Sequence, residues 1–551
     1  MSKYAIGVDF GTGSGRIVVI DVRTGEVVGT HITEYKHGVI TINLPNSTKE
    51  LKRDTALQHP QDYIEVLKQS IPQSLEEAKV SKEDVIGIGL DFTACTILPV
   101  DESLQPLCFD SKWKEEPNAW VKLWKHHAAQ EQADRINALA TERNEEWLQK
   151  YGGIISSEWM LPKVLEIVEE SPDVYEEATY ILEAADWLTS LMTGNLKRNS
   201  CAAGFKGTWN KAQGYVSREF LKELHPSLEN IYDNKLSGDV VSVGERAGLL
   251  IEDFARKIGL EAGTPVSMGM IDAHAGVLGA GVTKSNEMVL VMGTSTCHML
   301  LSEKEVFVEG ISGVVEDGII PGLFAYEAGQ AAVGDIFEWY IKENVPAYVK
   351  EISIQNDMTI HEYLENLAAN LQPGANGLIA LDWHNGCRTP LVDGNLSGML
   401  IGLTLSTKPE QIYRALLEAT AFGTKLIMEQ FQNKGIEISG LVACGGLPQK
   451  NDLMMQIYSD VTGMPIKIAS SSITPAVGAA MCGVLAAGRE KGGYDDITKI
   501  ADQMVQYSGR QYKPSHENTK KYAAIYEEYK RLVEYFGKGT NKVMKHLKSL
   551  S

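Results

Sequence analysis

The chain has 551 residues, 44% of them hydrophobic, which is enough for full cores in two large domains or a few smaller ones. Its 52 Lys and Arg against 72 Asp and Glu give a net charge of −20, which argues against a nucleic-acid partner and against binding to an anionic membrane. Seven scattered cysteines without a C-x-x-C pair indicate a reduced, cytoplasmic protein with no zinc site.

Residues 4–21 are the most informative stretch of the chain. An apolar strand leads to Asp9, a glycine-rich turn follows at 11–15, and a β-branched strand follows at 16–21. A glycine-rich turn between two strands leaves backbone N–H groups free to bind an anion, and an Asp at the strand end can hold a hydrated metal ion beside it. The stretch therefore predicts a nucleotide-phosphate site without a P-loop.

Other interpretations of this stretch fit its sequence less well. The dinucleotide motif G-x-G-x-x-G must open a helix, whereas the spacing here is G-x-G-x-G and a strand follows. Residues 9–11 spell the kinase tripeptide D-F-G, but only eight residues precede it and H-R-D occurs nowhere in the sequence. A plain glycine-rich hairpin is the structural alternative.

The hydrophobic pattern predicts a mixture of strands and helices along the chain. In the first half we predict strands at 4–9, 16–21, 26–33, 85–91 and 96–100, and helices near 61–79, 117–140 and 158–170. In the second half we predict helices near 331–343, 359–370 and 408–431. Residues 475–488 are too short a run to span a bilayer, and their small side chains predict a buried helix that a neighbouring element can approach closely.

A second turn of the same kind occurs midway along the chain. An apolar strand from residue 287 runs into Gly-Thr-Ser at 293–295, and another apolar stretch follows. This turn echoes Gly11-Thr12 and suggests an internal duplication, with a coincidence of common residue types as the alternative.

A third turn follows a strand at 441–444. Gly445-Gly446 leads from this strand to a helix from about 450 to 462. Such a turn places free N–H groups and the positive end of a helix dipole at a cleft. An ordinary βα turn is the alternative.

Together the three turns resemble the phosphate and adenosine loops of the actin-like ATPase superfamily, to which sugar kinases belong. A more specific match is 398–403 followed, seven residues later, by 411–418, which is similar to the C-terminal signature of the FGGY carbohydrate kinases. Further supporting segments are 91–96, 123–128, 151–159, 272–274, 314–321 and 326–330. Glycerol and xylulose kinases carry a Trp-x-Asp-x-Arg element that the corresponding region here, 110–115, lacks.

The resemblance implies an α/β fold of two actin-like (ribonuclease H-like) ATPase domains that arose by internal duplication, with a cleft between them. We expect the first domain at 1–283, with the sugar site and the first phosphate loop, and the second, ATP-binding domain at 284–551. The implied activity is phosphorylation of a pentulose, L-ribulose first, on its 5-hydroxyl in L-arabinose catabolism, with ATP as co-substrate and Mg²⁺. Alternatives are a kinase of another ketose or polyol, such as xylulose or glycerol, and a non-catalytic actin-like switch that binds sugar and ATP. A homodimer is expected by analogy.

The resemblance also implies roles for individual residues. ATP contacts are expected at Gly11, Thr12, Gly13, Arg16, Gly293, Thr294, Ser295, Gly445, Gly446 and Asn451, and a magnesium ion at Asp9. Sugar contacts are expected at the backbone of Ala94 and at Lys206, Asp272 and Glu327, with Asp272 as the catalytic base.

Each of these side chains also has a purely structural interpretation. Asp9 and Asp272 can cap a turn and a helix, and Lys206 can be a surface-loop lysine. Glu327 is expected at a strand end, where a carboxylate can cap the next element. His274, two residues after Asp272, is expected to be packed rather than to act as a second base.

Overall fold

Two large β-sheets, one in each half of the chain, organise the protein. The computed structural model describes residues 2–45, 47–471, 473–505 and 507–550, and the side chain of residue 376 lies outside this description. In these ranges no helix combines the length and the apolar character that crossing a lipid bilayer requires.

The strands and helices of the first half begin with the turn region and end at the centre of the chain. The strands are β1 (Tyr4–Phe10), β2 (Ser14–Asp21), β3 (Val27–Glu34), β4 (Leu57–Gln58), β5 (Val85–Phe92), β6 (Ile97–Val100), β7 (Val121–Lys122), β8 (Tyr180–Glu183), β9 (Lys197–Asn199), β10 (Asp239–Val241), β11 (Arg246–Leu249), β12 (Pro265–Ser267) and β13 (Met270–Ile271). The helices are α1 (Pro60–Ala78), α2 (Gln130–Glu142), α3 (Met160–Glu170), α4 (Pro172–Glu177), α5 (Ala184–Thr193), α6 (Ser200–Lys206), α7 (Arg218–Leu224), α8 (Glu252–Ile258) and α9 (Asp272–Gly279).

The second half repeats the mixture and adds helices at its end. The strands are β14 (Glu287–Met292), β15 (Thr296–Ser302), β16 (Gly313–Glu316), β17 (Phe324–Gln330), β18 (Ile379–Leu381), β19 (Met399–Ile401), β20 (Gly440–Cys444), β21 (Ile466–Ala469) and β22 (Tyr507–Tyr512). The helices are α10 (Gly334–Glu343), α11 (Ala347–Gln355), α12 (Ile360–Ala369), α13 (Pro409–Asn433), α14 (Gly446–Lys450), α15 (Asp452–Thr462), α16 (Thr474–Lys491), α17 (Ile497–Met504), α18 (His516–Leu532) and α19 (Val543–Ser549).

The two sheets share one strand order. The first runs β11-β12-β5-β1-β2-β3, and the second runs β22-β21-β20-β14-β15-β17-β16. In each sheet an antiparallel meander (β1-β2-β3 or β14-β15-β17) is followed by two strands parallel to its first strand (β5 and β12, or β20 and β21). This correspondence confirms the internal duplication that the echo of the two turns suggested.

Helix α16, from the second half, packs directly on the first sheet because that sheet presents glycines to it. A Cβ atom at Gly7 would lie 1.9 Å from the carbonyl oxygen of Ala476, and one at Gly89 would lie 1.8 Å from that of Ala479. Only glycine permits so close a backbone approach. The expected buried helix at 475–488 is therefore confirmed, and its small residues serve this contact.

Helices α9 and α16 also cross each other through glycines. A Cβ at Gly478 would lie 1.9 Å from the carbonyl oxygen of Ala275, and a Cβ at Gly279 would lie 1.9 Å from that of Thr474. The contact is reciprocal, as the duplication requires, because α9 follows β13 in the first half and α16 follows β21 in the second. The crossing therefore joins the two halves of the chain.

Most of the predicted elements are present within a few residues of their expected bounds, but the helix predicted at 117–140 is wrong. Gln130–Glu142 is the only α-helix in this range, Pro117–Ala119 forms a single 3-10 turn, and Val121–Lys122 forms a strand. Lys122 pairs with Leu57 on one side and Ile97 on the other, and its ammonium lies 2.9 Å from Glu166 in a buried ion pair. Tertiary pairing has overridden the local helical pattern here.

Candidate active site

Two aspartates stand side by side at the ends of neighbouring strands. β1 and β5 are parallel, and their register pairs Asp9 with Asp91 and Phe10 with Phe92. Asp91 is fully buried, and neither of its carboxylate oxygens has a hydrogen-bond partner among the described residues. A buried carboxyl pair of this kind is stabilised by a proton shared between Asp9 and Asp91 or by a bound cation, and its adjacent oxygens suit a cation.

Asp272 joins this pair from a third strand. β13 pairs with the end of β5, Met270 with Asp91, and Asp272 follows at the first residue of α9. Its Oδ1 accepts a hydrogen bond from the backbone N–H of Ala273 at 2.6 Å, and its side chain is partly exposed. The prediction of a strand, an Asp and then a small-residue helix is confirmed.

Burial raises the pKa of each of the three carboxyl groups. Burial, reinforced by the charge of Asp9, raises the pKa of Asp272 to about 7. Burial and the same neighbour raise the pKa of Asp91 well above its usual value. Burial also raises the pKa of Asp9, although Arg16, whose Nη1 lies 3.6 Å from Asp9 Oδ2, opposes this. A carboxyl group with a pKa near neutrality in a cluster of buried acids is typical of a general base.

Lys206 and Glu327 meet in a buried ion pair next to Asp272. The Lys206 Nζ lies 2.8 Å from each Glu327 oxygen, and it also lies 5.3 Å from the centre of the Trp159 ring. Burial alone would lower the pKa of Lys206, but the Glu327 carboxylate raises it, so the ammonium stays charged. Lys206 is the last residue of α6 rather than a surface-loop lysine.

Glu327 is not at a strand end, as the sequence had suggested. It lies in the middle of β17, opposite Met299 of β15, so it caps no helix. His274 is fully buried against Phe205, and its Nε2 lies 3.4 Å from Glu327 Oε2. Burial lowers the pKa of His274 to about 4, so the ring is neutral at pH 7 and packs beside the ion pair.

The first turn, between β1 and β2, is braced from behind. The Thr12 carbonyl oxygen accepts a hydrogen bond from Gln58, and the Thr12 hydroxyl accepts one from the Trp124 indole at 3.1 Å. The Gly13 carbonyl accepts the backbone N–H of Tyr35, and a Cβ at Gly13 would have no neighbour within 4 Å. The turn is therefore held in place while its glycine face stays open.

The second and third turns lie against each other. Gly293 and Thr294 are exposed at the β14–β15 turn, where the Gly293 N–H bonds to the Ser295 carbonyl. Gly445 has φ +98°, and a Cβ there would lie 2.3 Å from the carbonyl oxygen of Met292. The exposed Gly446 opens α14 at the same edge of the sheet. Only glycine at 445 lets these two turns share one edge.

Comparison with known proteins identifies the family to which the chain belongs. The model for the N-terminal domain of the FGGY family of carbohydrate kinases matches residues 4–279, and the model for the C-terminal domain matches residues 288–487. The chain belongs to the FGGY family of carbohydrate kinases.

Several relatives of this FGGY kinase match it over its whole length. Proteins named Ribulokinase from Geobacillus thermodenitrificans and Halalkalibacterium halodurans are each 54% identical to it, over 546 and 549 residues. These alignments cover 99% and 100% of this chain and 97% and 98% of the relatives. The Ribulokinase of Staphylococcus aureus is 42% identical over 548 residues, or 100% of this chain and 99% of its own.

Solved structures share the fold at lower identity. The xylulose kinase of Rhodospirillum rubrum aligns with a TM-score of 0.78 at 21% identity, over 96% of this chain and 98% of its own. The gluconate kinase of Lactobacillus acidophilus aligns with a TM-score of 0.80 at 18% identity, over 98% and 99%. This similarity shows the actin-like, two-domain α/β architecture of the FGGY kinase and not its substrate.

Ala94, another expected site residue of the FGGY kinase, lies in a turn that buried hydrogen bonds hold in place. Ala94 precedes Cys95, which has φ +52° and whose carbonyl accepts a hydrogen bond from the buried Lys163 Nζ at 2.6 Å. Lys163 also donates to the Leu123 carbonyl, next to the Trp124 that braces Thr12. Lys163 thus links the Ala94 turn to the turn that contains Thr12.

Asn451 has its side-chain amide engaged within the fold. Its Oδ1 accepts the backbone N–H of Met454 as the N-cap of α15, and its Nδ2 donates to the Tyr413 hydroxyl at 3.3 Å. The contact of Asn451 with ATP therefore stays a prediction, and its position in the fold is that of a helix cap.

Sequence reasoning assigned no role to Asp91, Trp124 or Lys163. A signal for Asp91 was present, because β5 ends in Gly-Leu-Asp-Phe where β1 ends in Gly-Val-Asp-Phe. Two parallel strands with the same ending bring their carboxylates together. No local pattern marks Trp124 or Lys163, since their contacts are made only by the tertiary fold.

Proposed function

We propose that this FGGY kinase transfers the γ-phosphoryl group of ATP to the 5-hydroxyl of L-ribulose, giving ribulose 5-phosphate and ADP. The proposal rests on the close approach of Lys206 and Glu327 to each other beside Asp272. It also rests on relatives that are 54% identical to this chain over nearly its whole length and are named Ribulokinase. The kinases with solved structures act on xylulose or gluconate by name, so the fold alone does not select the sugar.

The three turns form the proposed nucleotide site. The N–H groups of Gly11 and Gly293 bond within their own turns, so the backbone N–H groups of Thr12, Gly13 and Thr294 are the proposed donors for phosphate oxygens. The Gly445–Gly446 turn adds a helix end. The net charge of −20 cannot attract ATP at long range, so these local donors and a cation must hold it.

Asp9 and Asp91 are the residues that fit a magnesium ion. Both present carboxylate oxygens at adjacent strand ends, and those of Asp91 are buried without partners among the described residues. Oxygen ligands of this kind suit Mg²⁺, which would neutralise charge on the transferred phosphoryl group. Because burial and the charge of Asp9 raise the pKa of Asp91 well above its usual value, binding of the cation would favour loss of the Asp91 proton.

Asp272 is the proposed general base. A pKa of about 7 leaves a substantial fraction of this carboxyl ionised at neutral pH, yet basic enough to accept a proton. It takes the proton of the 5-hydroxyl as that oxygen attacks the γ-phosphorus. The new O–P bond forms while the bond to the β–γ bridging oxygen breaks, and ADP carries away that electron pair.

Lys206, Glu327 and the Ala94 backbone are proposed to hold the sugar. The ammonium donates to hydroxyl oxygens and the carboxylate accepts from hydroxyl groups, so the pair can bind a polyhydroxylated chain without net charge. The Trp159 ring beside Lys206 gives the C–H face of the sugar an apolar surface. Orientation of this kind brings the hydroxyl to Asp272 in a reactive geometry.

A coupled assay of ADP release tests the proposal. The purified protein is given Mg²⁺, ATP and a panel of L-ribulose, D-ribulose, D-xylulose, L-xylulose, gluconate and glycerol. We expect L-ribulose to give the highest kcat/KM. Greater activity on another acceptor would replace L-ribulose by that sugar, and ATP turnover that ignores every sugar would favour a non-catalytic switch.

A substitution of the base tests the mechanism in the same assay. Asp272→Asn should keep ATP binding, measured by calorimetry, while kcat falls roughly 10²–10⁴-fold, the usual contribution of a general base. Asp173→Asn, in the first turn of α4, is the matched control because this aspartate is exposed. Near-normal turnover of Asp272→Asn would remove Asp272 from the proposed role.

A further inference from the structure

Arg388 lies on a segment that completes the edge of the second sheet. Strand β16 pairs with β17 only as far as Glu327. Beyond that point Thr389 takes over the edge, because its N–H donates to the Gly329 carbonyl at 3.1 Å and its hydroxyl accepts the Gly329 N–H at 3.2 Å. The backbone that carries Arg388 is therefore fixed to β17.

The Arg388 side chain lies over the face of the sheet that carries Glu327. A Cβ at Gly329 would lie 3.4 Å from both the Cδ and the Nη1 of Arg388, so the arginine passes above that glycine. Residues 327 and 329 point to the same face of a strand, and Cys297 stands opposite Gly329 on β15. Arg388 thus occupies the sugar-facing surface proposed above.

The Arg388 guanidinium has no partner of its own. Within the ranges that the structure describes it makes no hydrogen bond and no ion pair, although its side chain is half-buried. Burial opposes its charge, but Glu158, Cys297 and Glu327 raise the pKa of Arg388, so it is a cation at all working pH values. A partly buried guanidinium with five free donors is a binding group for an oxygen-rich ligand.

The surrounding charges indicate which part of the acceptor reaches Arg388. The reacting hydroxyl must face Asp272, and the Lys206–Glu327 pair lies next to it. The carboxylates that act most strongly on Arg388 are Glu158 and Glu327. Arg388 crosses β17 at Gly329, two residues beyond Glu327 on the same face, so it is within reach of the far end of an extended ketose whose 5-hydroxyl faces Asp272 and whose chain runs past Lys206–Glu327.

We propose that Arg388 donates hydrogen bonds to the 1-hydroxyl and 2-keto oxygens of the acceptor and so determines specificity for the ketose end of the sugar. The inference rests on the proposed function, because it takes a ketopentose as the acceptor. It adds a sugar contact to Ala94, Lys206 and Glu327, at the end of the sugar remote from the reacting hydroxyl.

A thermodynamic cycle that combines a substitution at Arg388 with removal of one sugar hydroxyl tests the contact. Wild type and Arg388→Met are assayed with L-ribulose and with 1-deoxy-L-ribulose, which lacks one proposed acceptor. We expect Arg388→Met to raise the KM for L-ribulose roughly 10- to 100-fold, the range for a hydrogen bond to a charged group, and to leave the KM for ATP within twofold. The deoxy sugar should raise KM strongly in wild type and only about twofold in the variant.

The controls separate this contact from a structural role and from the proposed function. Arg531→Met, at an exposed position of α18, should change neither KM, and Arg388→Lys should recover part of the lost affinity. The proposal would be overturned if removal of the 1-hydroxyl raised KM by the same factor in wild type and in Arg388→Met. It would also be overturned if Arg388→Met raised the KM for L-ribulose and the KM for ATP equally. If the wild-type enzyme prefers another ketose, the proposed substrate is wrong and the Arg388 contact is still open to test. The same comparison is then made with that ketose and its 1-deoxy analogue.

Discussion

Lys206 and Glu327 lie 121 residues apart in the sequence, and yet the Lys206 ammonium is 2.8 Å from both Glu327 carboxylate oxygens. One residue ends a helix of the first half, and the other stands in the central part of a strand of the second sheet. Both are buried. The proposed sugar site therefore exists only where the two halves of the duplicated chain meet.

We predict that Lys206→Met and Glu327→Gln each raise the KM for the ketose at least about tenfold more than the KM for ATP. Each single variant leaves the other charge buried and unpaired, which costs more than the loss of the pair as a whole. The double variant Lys206→Met/Glu327→Gln should therefore lose less stability, as Tm, than the sum of the two single losses. Steady-state kinetics and thermal unfolding measure these effects.

The matched control is the surface pair Lys222 and Glu229, whose side chains are largely exposed. Lys222→Met should leave both KM values and the Tm nearly unchanged, because exposed ion pairs contribute little. If Lys206→Met raised the KM for ATP as much as that for the ketose, the pair would not be a sugar site.

The pH profile should report Asp272. Its pKa is raised to about 7, so the carboxyl keeps its proton up to higher pH than an ordinary aspartate, and only the ionised form can act as a base. We predict that kcat/KM for the ketose falls about tenfold per pH unit below pH 7 and levels off above it. The profile is measured from pH 5 to 8.5 with saturating Mg²⁺ and ATP.

The residual activity of Asp272→Asn serves as the control for this profile, because an amide does not titrate in that range. Its kcat/KM should lack the acidic limb. A wild-type limb centred near pH 4 would mean that Asp272 titrates like an exposed aspartate, and the base would have to be sought elsewhere.

Asp91 should govern the magnesium requirement. Its carboxyl is buried beside Asp9, burial raises its pKa well above the usual value, and a cation bound by the two carboxylates would take the place of that proton. We predict that Asp91→Asn raises the half-saturating Mg²⁺ concentration roughly 10- to 100-fold, the usual effect of losing a residue that supports a metal ion. Titration of activity with Mg²⁺ measures this, and Asp134→Asn, at an exposed position of α2, is the control. An unchanged magnesium dependence would leave Asp91 as a purely structural acid.

The sequence indicates the framework of the site because that framework depends on local patterns. Apolar strands that end in Gly-x-Asp-Phe, and glycine-rich turns after strands, are recognisable in isolation. The Asp9 turn, the Gly293 turn and the strand-to-helix step at Asp272 are all present as predicted. The duplication could be inferred as well, because the same turn occurs in both halves.

The rest of the site depends on contacts that no local pattern encodes. Lys206 and Arg388 both lie against β17, and Lys206 is far from that strand in the sequence. The error at 117–140 has the same origin, because Lys122 pairs with strands on both sides and with Glu166. Long-range strand pairing and buried ion pairs determine the conformation at these positions, and local residue propensities do not predict such contacts.

The crossing of α9 and α16 should be among the most substitution-sensitive contacts in the protein. A Cβ at Gly478 would lie 1.9 Å from the backbone oxygen of Ala275 and cannot be accommodated by moving a side chain. We predict that Gly478→Ala forces the helices apart and lowers the Tm by several degrees, in line with the cost of overpacking a core. Gly394→Ala, where a Cβ would meet nothing within 4 Å, should leave the Tm within a degree. Because α9 begins at Asp272, the Gly478 variant should also lose kcat in the fraction that remains folded. Equal Tm values for both variants would show that the two helices do not pack backbone to backbone.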